Sequence, residues 1–241
     1  MRWLVHLLMI LSACIPASPT ATPTADVPTD SLESLFLRQG SVFFQAVRID
    51  PTQYYFRTHY RAGEPLTLAQ WQAELPDAEV IINANFFTPE HTVLGLLISD
   101  GVIHGTPYRD RGGMFFVDGE QVGIRNTVQI PYANEAFQQA VQAFPILVQD
   151  GEARYTNPND TAISRRTVVA EDANGRIVMM VTAGFGISLP ALSTYLADSD
   201  LNLVNALNLD GGGSTMMAIT SSDTTIISVD PVPAVLAVYR R

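Results

Sequence analysis

Apolar and polar residues alternate along much of the chain, a pattern that predicts β-strands. Residues 41–50 and 54–60 form two such runs, which we expect to pair with each other. At four later places an apolar run precedes or flanks a turn dipeptide of the kind that most strongly indicates a β-hairpin. These dipeptides are Asp100-Gly101, Asp118-Gly119, Asp150-Gly151 and Asn174-Gly175. The hairpins favour an antiparallel sheet over a doubly wound parallel one.

Three segments instead have apolar residues at helical spacing, each close to a residue suited to cap a helix. The predicted helices and caps are residues 65–75 with Thr67, residues 134–144 with Asn134, and residues 189–198 with Ser188. We therefore expect an α+β fold: a single domain with a largely antiparallel or mixed β-sheet and about three helices packed on it.

Composition and charge narrow the function classes. The chain has 241 residues, a hydrophobic fraction of 47% and a net charge of −10, which suit one globular domain with a sizeable core. All 14 basic residues are Arg. The acidic balance argues against nucleic acid as a partner, and the absence of Lys excludes a Schiff-base or P-loop lysine. A single Cys excludes an internal disulfide framework and a cysteine-based zinc cluster.

The first residues have the features of an export signal. A short basic start precedes an apolar run over residues 4–11, too short to cross a bilayer as a helix. Residues 11–14, Leu-Ser-Ala-Cys, resemble the lipobox of bacterial lipoproteins, which implies cleavage before Cys14 and acylation of its thiol. An ordinary signal peptide with an incidental Cys, or an uncleaved anchor, are the alternatives. The predicted location is outward-facing, on the cell membrane.

A Pro- and Thr-rich stretch follows Cys14 and contains few apolar side chains. Such a composition is typical of an extended spacer. The predicted organisation is a signal peptide at residues 1–13, the lipidated Cys and linker at residues 14–31, and a folded domain at residues 32–241.

The strongest candidate for chemistry is residues 208–215, Asn-Leu-Asp-Gly-Gly-Gly-Ser-Thr, after an apolar strand. Three consecutive glycines lose much backbone freedom on folding, and they suit a place where the backbone approaches a ligand or forms an anion-binding turn. A tight turn between core strands is the alternative, and there Asp210 would cap the turn.

Two asparagines follow a second apolar strand. Asn83 and Asn85 lie two residues apart, so we expect both side chains on one face. Amides that both donate and accept suit a sugar hydroxyl or a phosphate oxygen. Bonding to nearby loop backbone, which is common for Asn at strand ends, explains them equally well.

These motifs together resemble the phosphodiester glycosidase family. The Asp-Gly-Gly-Gly-Ser string carries most of the resemblance, which spans roughly residues 83–239. Weaker matching segments are residues 82–87, 94–101, 144–148, 166–170, 186–192 and 232–239. Asn85 and Phe144 stand where the family has Gly, which puts the detailed shape of the pocket in question.

The resemblance implies hydrolysis of a sugar-1-phosphate diester, which releases a sugar such as N-acetylglucosamine and leaves a phosphomonoester. Asp210 would be the carboxylate near the anomeric carbon and Arg166 the phosphate clamp. Further substrate contacts are expected from the residues around this pair. They are Asn83, Asn85, Asn208, Gly211, Gly212, Gly213, Ser214, Thr215 and, as an acid/base candidate, His104.

Some alternatives stay open. Arg166 follows Arg165, and either suits a solvated surface. No cofactor is implied. A divalent cation at Asp210 stays open as an alternative, although no second close carboxylate points to it. The expected partners are a glycan phosphodiester and the membrane. A non-catalytic glycan-binding or exopolysaccharide-associated lipoprotein is the competing hypothesis.

Overall fold

The computed structural model describes residues 32–241, which form three antiparallel sheets with two α-helices and two short 3₁₀ helices. The predicted signal peptide, Cys14 and the linker lie outside the described residues. Within residues 32–241, no helix is long and apolar enough to cross a membrane.

The first sheet has seven strands in the order β1-β2-β13-β12-β14-β10-β11. Two of the predicted hairpins, β10–β11 and β12–β13, lie in it. Its strands are β1 (Leu32–Gln39), β2 (Val42–Ile49), β10 (Ile146–Gln149), β11 (Glu152–Ala153), β12 (Thr167–Asp172), β13 (Ile177–Thr182) and β14 (Leu203–Asn208).

The second and third sheets have five strands each, in the orders β16-β15-β4-β17-β3 and β6-β5-β9-β7-β8. The second contains β3 (Tyr54–Tyr60), β4 (Val80–Asn83), β15 (Met217–Ile219), β16 (Thr224–Ile226) and β17 (Ala234–Arg240). The third contains β5 (Leu96–Ser99), β6 (Val102–Gly105), β7 (Gly113–Asp118), β8 (Gln121–Asn126) and β9 (Gln139–Ala143). The remaining predicted hairpins, β5–β6 and β7–β8, form as expected around Asp100-Gly101 and Asp118-Gly119.

One central core takes side chains from all three sheets, among them Val47, Ile82, Phe115 and Leu207. The outer faces are covered separately. Helix α2 (Leu189–Ala197) packs on the first sheet, and α1 (Leu68–Glu74) packs on the second. Because most strands are covered on both faces, they are buried along much of their length. Polar side chains on these strands are therefore buried between the sheets as well.

The two helices lie where the sequence places them. Thr67 caps α1, and its hydroxyl accepts from the N–H of Gln70 while the Gln70 side chain returns to the Thr67 N–H, a full capping box. In α2, Ser188 occupies the cap position without a side-chain hydrogen bond, and Pro190 lies in the first turn.

The third predicted helix, residues 134–144, is wrong. Residues 139–143 form β9, which lies between β5 and β7, and all five residues are buried. Their Gln side chains find partners inside the protein: Gln142 Oε1 accepts from the N–H groups of Leu96 and Tyr108 at 3.2 and 2.8 Å. The fold is therefore mainly β, with two helices among the described residues instead of about three.

The pairing predicted for residues 41–50 and 54–60 is also wrong, although both are strands. β2 pairs with β1 and β13 in the first sheet, whereas β3 pairs with β17 in the second. Strand partners this far apart in sequence are set by the packing of the three sheets, which alternation alone does not encode.

Candidate active site

The glycine loop, residues 210–215, carries the chain from the first sheet to the second. Strand β14 ends at Asn208, and β15 begins after the loop beside β4. The Leu209 N–H donates to Thr167 O at 2.9 Å, and the Asp210 N–H donates to Ala84 O at 3.1 Å. Asp210 therefore lies at the junction of two sheets, and its main chain is held by hydrogen bonds to both.

Asn83, at the end of β4, anchors this junction. Its Nδ2 donates to the carbonyl of Asp210 at 2.6 Å, while its Oδ1 accepts from the Thr167 hydroxyl at 2.7 Å and from the Met216 N–H at 3.1 Å. The amide oxygen is fully used by these bonds and one N–H remains. Of the two interpretations of Asn83, hydrogen bonding to backbone groups describes most of its contacts. Asn83 therefore holds the glycine loop in place.

The glycines allow close contact between backbone segments. A side chain at Gly211 would lie 2.6 Å from the carbonyl oxygen of Arg165, and Gly212 has a left-handed φ of +62°. That Arg165 carbonyl accepts from the Gly212 N–H at 2.8 Å, and the Gly211 N–H donates to Asp210 Oδ1 at 2.8 Å. Of the backbone N–H groups of Gly211, Gly212 and Gly213, the first two are thus used within the protein. The third, that of Gly213, has no partner among residues 32–241.

Asp210 has the clearest electrostatic signature of a working carboxyl group. Burial, and more weakly the charge of Asp230, raise its pKa from 3.8 to about 6, against the opposing hydrogen bonds from Ser214 and the Gly211 N–H. A carboxyl group with its pKa near the working pH is suited to proton transfer or nucleophilic attack.

Asp230 was not found by the sequence analysis. The Val229 and Asp230 N–H groups both donate to Gly213 O, at 2.7 and 3.0 Å, and the Asp230 carboxylate lies where a side chain on Gly213 would be. Asp230 thus places a second carboxylate near Asp210, which its position in the sequence does not indicate. Asp230 comes 20 positions later in a loop between β16 and β17, and no local pattern there indicates a site.

The two neighbouring arginines contact the loop differently from the predicted clamp. Arg165 Nη2 donates to Thr215 O at 2.9 Å and to Ile227 O at 3.1 Å, which ties the glycine loop to the segment before Asp230. Arg166 Nε and Nη2 donate to the carbonyls of Ile187 and Ala162, both at 2.9 Å, and burial lowers its pKa. Neither is a solvated surface charge. Arg166 retains only Nη1 without a protein partner among described residues.

Three buried polar atoms of predicted site residues have no partner among residues 32–241: Asn85 Oδ1, Asn208 Oδ1 and Thr215 Oγ1. Their side chains are held by other contacts, since Asn85 Nδ2 donates to Leu96 O at 3.0 Å and Asn208 Nδ2 to Phe144 O at 3.0 Å. A buried polar group without a hydrogen bond costs roughly 1–3 kcal/mol. These atoms are suited to hydrogen-bond the hydroxyl groups of a bound sugar.

Three aromatic side chains, Phe86, Tyr108 and Phe144, form an aromatic wall beside these amides. Phe144 is one of the two positions where the chain departs from the family pattern. The Phe86 and Phe144 rings lie 4.7 Å apart, and the edge of Tyr108 meets Phe144 at 5.5 Å. Asn85 Nδ2 donates to the carbonyl of Gln142, two residues before Phe144, at 3.2 Å. Asn85 and Phe144, which stand where the family has Gly, thus lie on the same side of the site.

His104 lies on β6, the edge strand of the third sheet, where its ring packs against Tyr60 at 5.0 Å and burial lowers its pKa. Within residues 32–241 the structure gives it no contact with the glycine loop. Across the same residues, no group of three or more His, Cys, Asp or Glu side chains is arranged to hold a metal ion.

Residues 76–239 match the family model of phosphodiester glycosidase, and this segment contains every predicted site residue of the folded domain. The chain belongs to the phosphodiester glycosidase family. The resemblance inferred from the sequence is confirmed, over a slightly longer segment than residues 83–239.

Solved structures share this phosphodiester glycosidase fold. The catalytic domain of zebrafish N-acetylglucosamine-1-phosphodiester α-N-acetylglucosaminidase, auto-inhibited by its pro-peptide, has a TM-score of 0.65 and 18% identity, with 89% of this chain and 85% of that chain covered. A hypothetical protein from Synechocystis has the same TM-score and identity, with coverage of 87% and 62%. A Burkholderia pseudomallei protein, named as a candidate exported protein, has a TM-score of 0.60 and 12% identity, with coverage of 82% and 74%. The curated proteins give no match.

Proposed function

We propose that this member of the phosphodiester glycosidase family hydrolyses sugar-1-phosphate diesters, with Asp210 as the reacting carboxylate. The observation that carries the proposal is the setting of Asp210: a carboxyl group fixed at a junction of two sheets, with a pKa of about 6, close to buried amide and hydroxyl groups that have no protein partner. Such a constellation combines a reactive group with hydrogen-bonding groups for a sugar.

In the proposed reaction the bond between the anomeric carbon and the bridging phosphate oxygen breaks. The phosphomonoester leaves with the bonding electron pair, and water supplies the hydroxyl group of the released sugar. A phosphomonoester is a good leaving group, so the reaction depends more on the carboxylate than on a strong general acid. Ionised Asp210 either attacks the anomeric carbon or takes a proton from the attacking water.

The leaving phosphate gains negative charge, and donors must face it. The Gly213 N–H and the free Nη1 of Arg166 are the groups proposed for this task. The one proton of the Ser214 hydroxyl is donated to Asp210, so Ser214 is proposed to orient the carboxylate. Asn85 Oδ1, Asn208 Oδ1 and the Thr215 hydroxyl would orient the sugar.

The proposed sugar is N-acetylglucosamine, by analogy with the named activity of the zebrafish enzyme. We further propose that the protein is exported and acts on envelope or extracellular glycans from a lipid anchor at Cys14. Support for export comes from the signal-like start of the sequence and from the similarity to the Burkholderia protein.

The test is a direct assay of the purified protein with N-acetylglucosamine-1-phosphate esters of several alcohols and with the same esters of other sugars. Free sugar and phosphomonoester are both measured, because hydrolysis on the other side of phosphorus would release sugar phosphate instead. Equal amounts of sugar and phosphomonoester support the proposal. Folded protein that binds these glycans without turnover would instead support the non-catalytic glycan-binding role.

The pH dependence follows from the raised pKa of Asp210. The reaction needs the ionised carboxylate, so kcat/KM should rise with pH through about 6 and then level off. Since the negative charge of Asp230 contributes to the raised pKa, Asp230→Asn should move this rise to lower pH. The measurement is kcat/KM from pH 4 to 8. An unmoved profile in Asp230→Asn would show that the two carboxylates are not coupled.

A further inference from the structure

A groove of about 480 Å³ borders the candidate site on the side of the aromatic wall. Its edge is formed by Phe144 and Pro145, whose carbonyls accept from Asn208 Nδ2 and from the Asn208 N–H, both at 3.0 Å. Asp210 follows Asn208 by two residues, a distance of about 7 Å along an extended chain. Phe144 and Pro145 therefore connect the lining of the groove to the backbone two residues before the reacting carboxylate.

The charged groups in the groove are two arginines and one aspartate, in a protein with a net charge of −10. Arg111 lies over the rings of Phe144 and Tyr108, at 5.5 and 5.8 Å, and is paired with the exposed Asp110 at 2.9 Å. Arg154 is exposed, and across the described part of the chain it has no carboxylate partner. An exposed ion pair contributes little, so both guanidinium groups are available to a phosphate.

The remaining lining of the groove suits a sugar. Asn126 and Gln149 line the groove, and their amides belong to a hydrogen-bonded chain: Asn126 Nδ2 donates to Gln149 Oε1 at 2.9 Å, and Gln149 Nε2 donates to Gln129 Oε1 at 2.9 Å. Phe144 and Tyr155 add aromatic surface. Amides that bond to hydroxyl groups, rings that contact sugar C–H groups and arginines that bind phosphate together favour a phosphorylated sugar as the ligand.

We infer that this groove binds the alcohol side of the substrate, and that this side is a sugar carrying a further phosphate, as in a repeating sugar-phosphate polymer. The inference rests on the proposed function and specifies its substrate class. The scissile bond lies at Asp210, the next sugar contacts the amide chain and the aromatic surface, and its phosphate meets Arg154 and Arg111.

The experiment compares two substrates with the same scissile bond: the methyl ester of N-acetylglucosamine-1-phosphate, and an oligomer of two N-acetylglucosamine-phosphate repeats. The parent should prefer the two-repeat oligomer. Arg111→Gln and Arg154→Gln should each lower kcat/KM for that oligomer roughly 10-fold and leave the methyl ester unchanged. Arg38→Gln is the matched control, since Arg38 lies on β1, at the opposite edge of the first sheet from β10 and β11.

Equal activity of the parent on both substrates, or equal losses on both in the variants, would overturn the inference. If neither substrate is hydrolysed, the proposed function fails and binding decides the inference separately. Calorimetric binding of the two-repeat oligomer that weakens in Arg154→Gln and persists in Arg38→Gln would then support the groove. Absence of binding to the parent would overturn it.

Discussion

Asp210→Asn is expected to lower kcat/KM on the order of 10³-fold while making the folded protein more stable at neutral pH. The loss of activity follows because an amide can neither attack carbon nor take a proton from water. The gain in stability follows because Asn keeps the size of the side chain, and its oxygen can still accept from the Gly211 N–H, but it removes a charge from a buried position.

The sign and size of the stability change come from the pKa. In the folded protein Asp210 has a pKa of about 6 against an ordinary 3.8, so the folded state binds the proton more tightly and stability is lost as pH rises from 3.8 to about 6. The shift corresponds to about 2–3 kcal/mol at neutral pH, or a rise in Tm of roughly 4–12 °C in Asp210→Asn. The difference should shrink as pH falls below 6 and vanish near 3.8.

Thermal unfolding at pH 4 and pH 7.5, with activity measured in parallel, checks both parts. Asp223→Asn is the matched control, because Asp223 is exposed with a left-handed φ of +48°, a conformation that Asn tolerates. Full activity in Asp210→Asn would remove the carboxylate from the reaction. Unchanged stability at pH 7.5 would show that the carboxylate is not destabilising in the folded protein.

Local sequence signals predicted the hairpins and the two helices because their causes are local. A left-handed turn at Asp100-Gly101 or Asp150-Gly151 joins strands that are already neighbours in sequence. The capping box at Thr67 is complete within four residues. Such interactions form within a few residues and need no knowledge of the rest of the fold.

The failed predictions depend on partners far away in the chain. Gln139 reads as a polar helix position, yet its Oε1 accepts from the N–H of Thr58, 81 residues earlier, and its Nε2 donates to Asp100 at 2.8 Å. A buried amide with all its partners supplied is as stable in a central strand as an apolar residue. The sequence pattern is the same for a buried Gln in a central strand and for a Gln on the solvated face of a helix, so it does not distinguish the two.

The same distinction applies at the site. Asp210 and the glycines form one contiguous string, so their sequence is sufficient to locate the loop. The environment of Asp210 is assembled from other segments: Asn83 at the end of β4 and Ala84 after it, Arg165 before β12 and Asp230 before β17. Arg166 was predicted to face phosphate, but most of its guanidinium bonds to the carbonyls of Ala162 and Ile187, contacts that are visible only in three dimensions.

Gly211→Ala is expected to lower kcat/KM about 10²-fold and to destabilise the domain by about 1–3 kcal/mol, although it changes no functional group. The added Cβ would lie 2.6 Å from the carbonyl oxygen of Arg165, which is backbone and also accepts from the Gly212 N–H. The loop must therefore move away from Arg165. Because the Gly211 N–H donates to Asp210 Oδ1, this movement displaces the reacting carboxylate.

Gly184→Ala is the matched control, since a Cβ at Gly184 meets no atom within 4 Å and its φ lies outside the left-handed region. That variant should keep the parent kcat/KM and Tm or gain slightly in stability, because Ala restricts the unfolded chain. Steady-state kinetics and thermal unfolding of both variants give the comparison. If Gly211→Ala behaved like Gly184→Ala, the close contact with Arg165 would not position Asp210, and the run of glycines would be only a turn between two sheets.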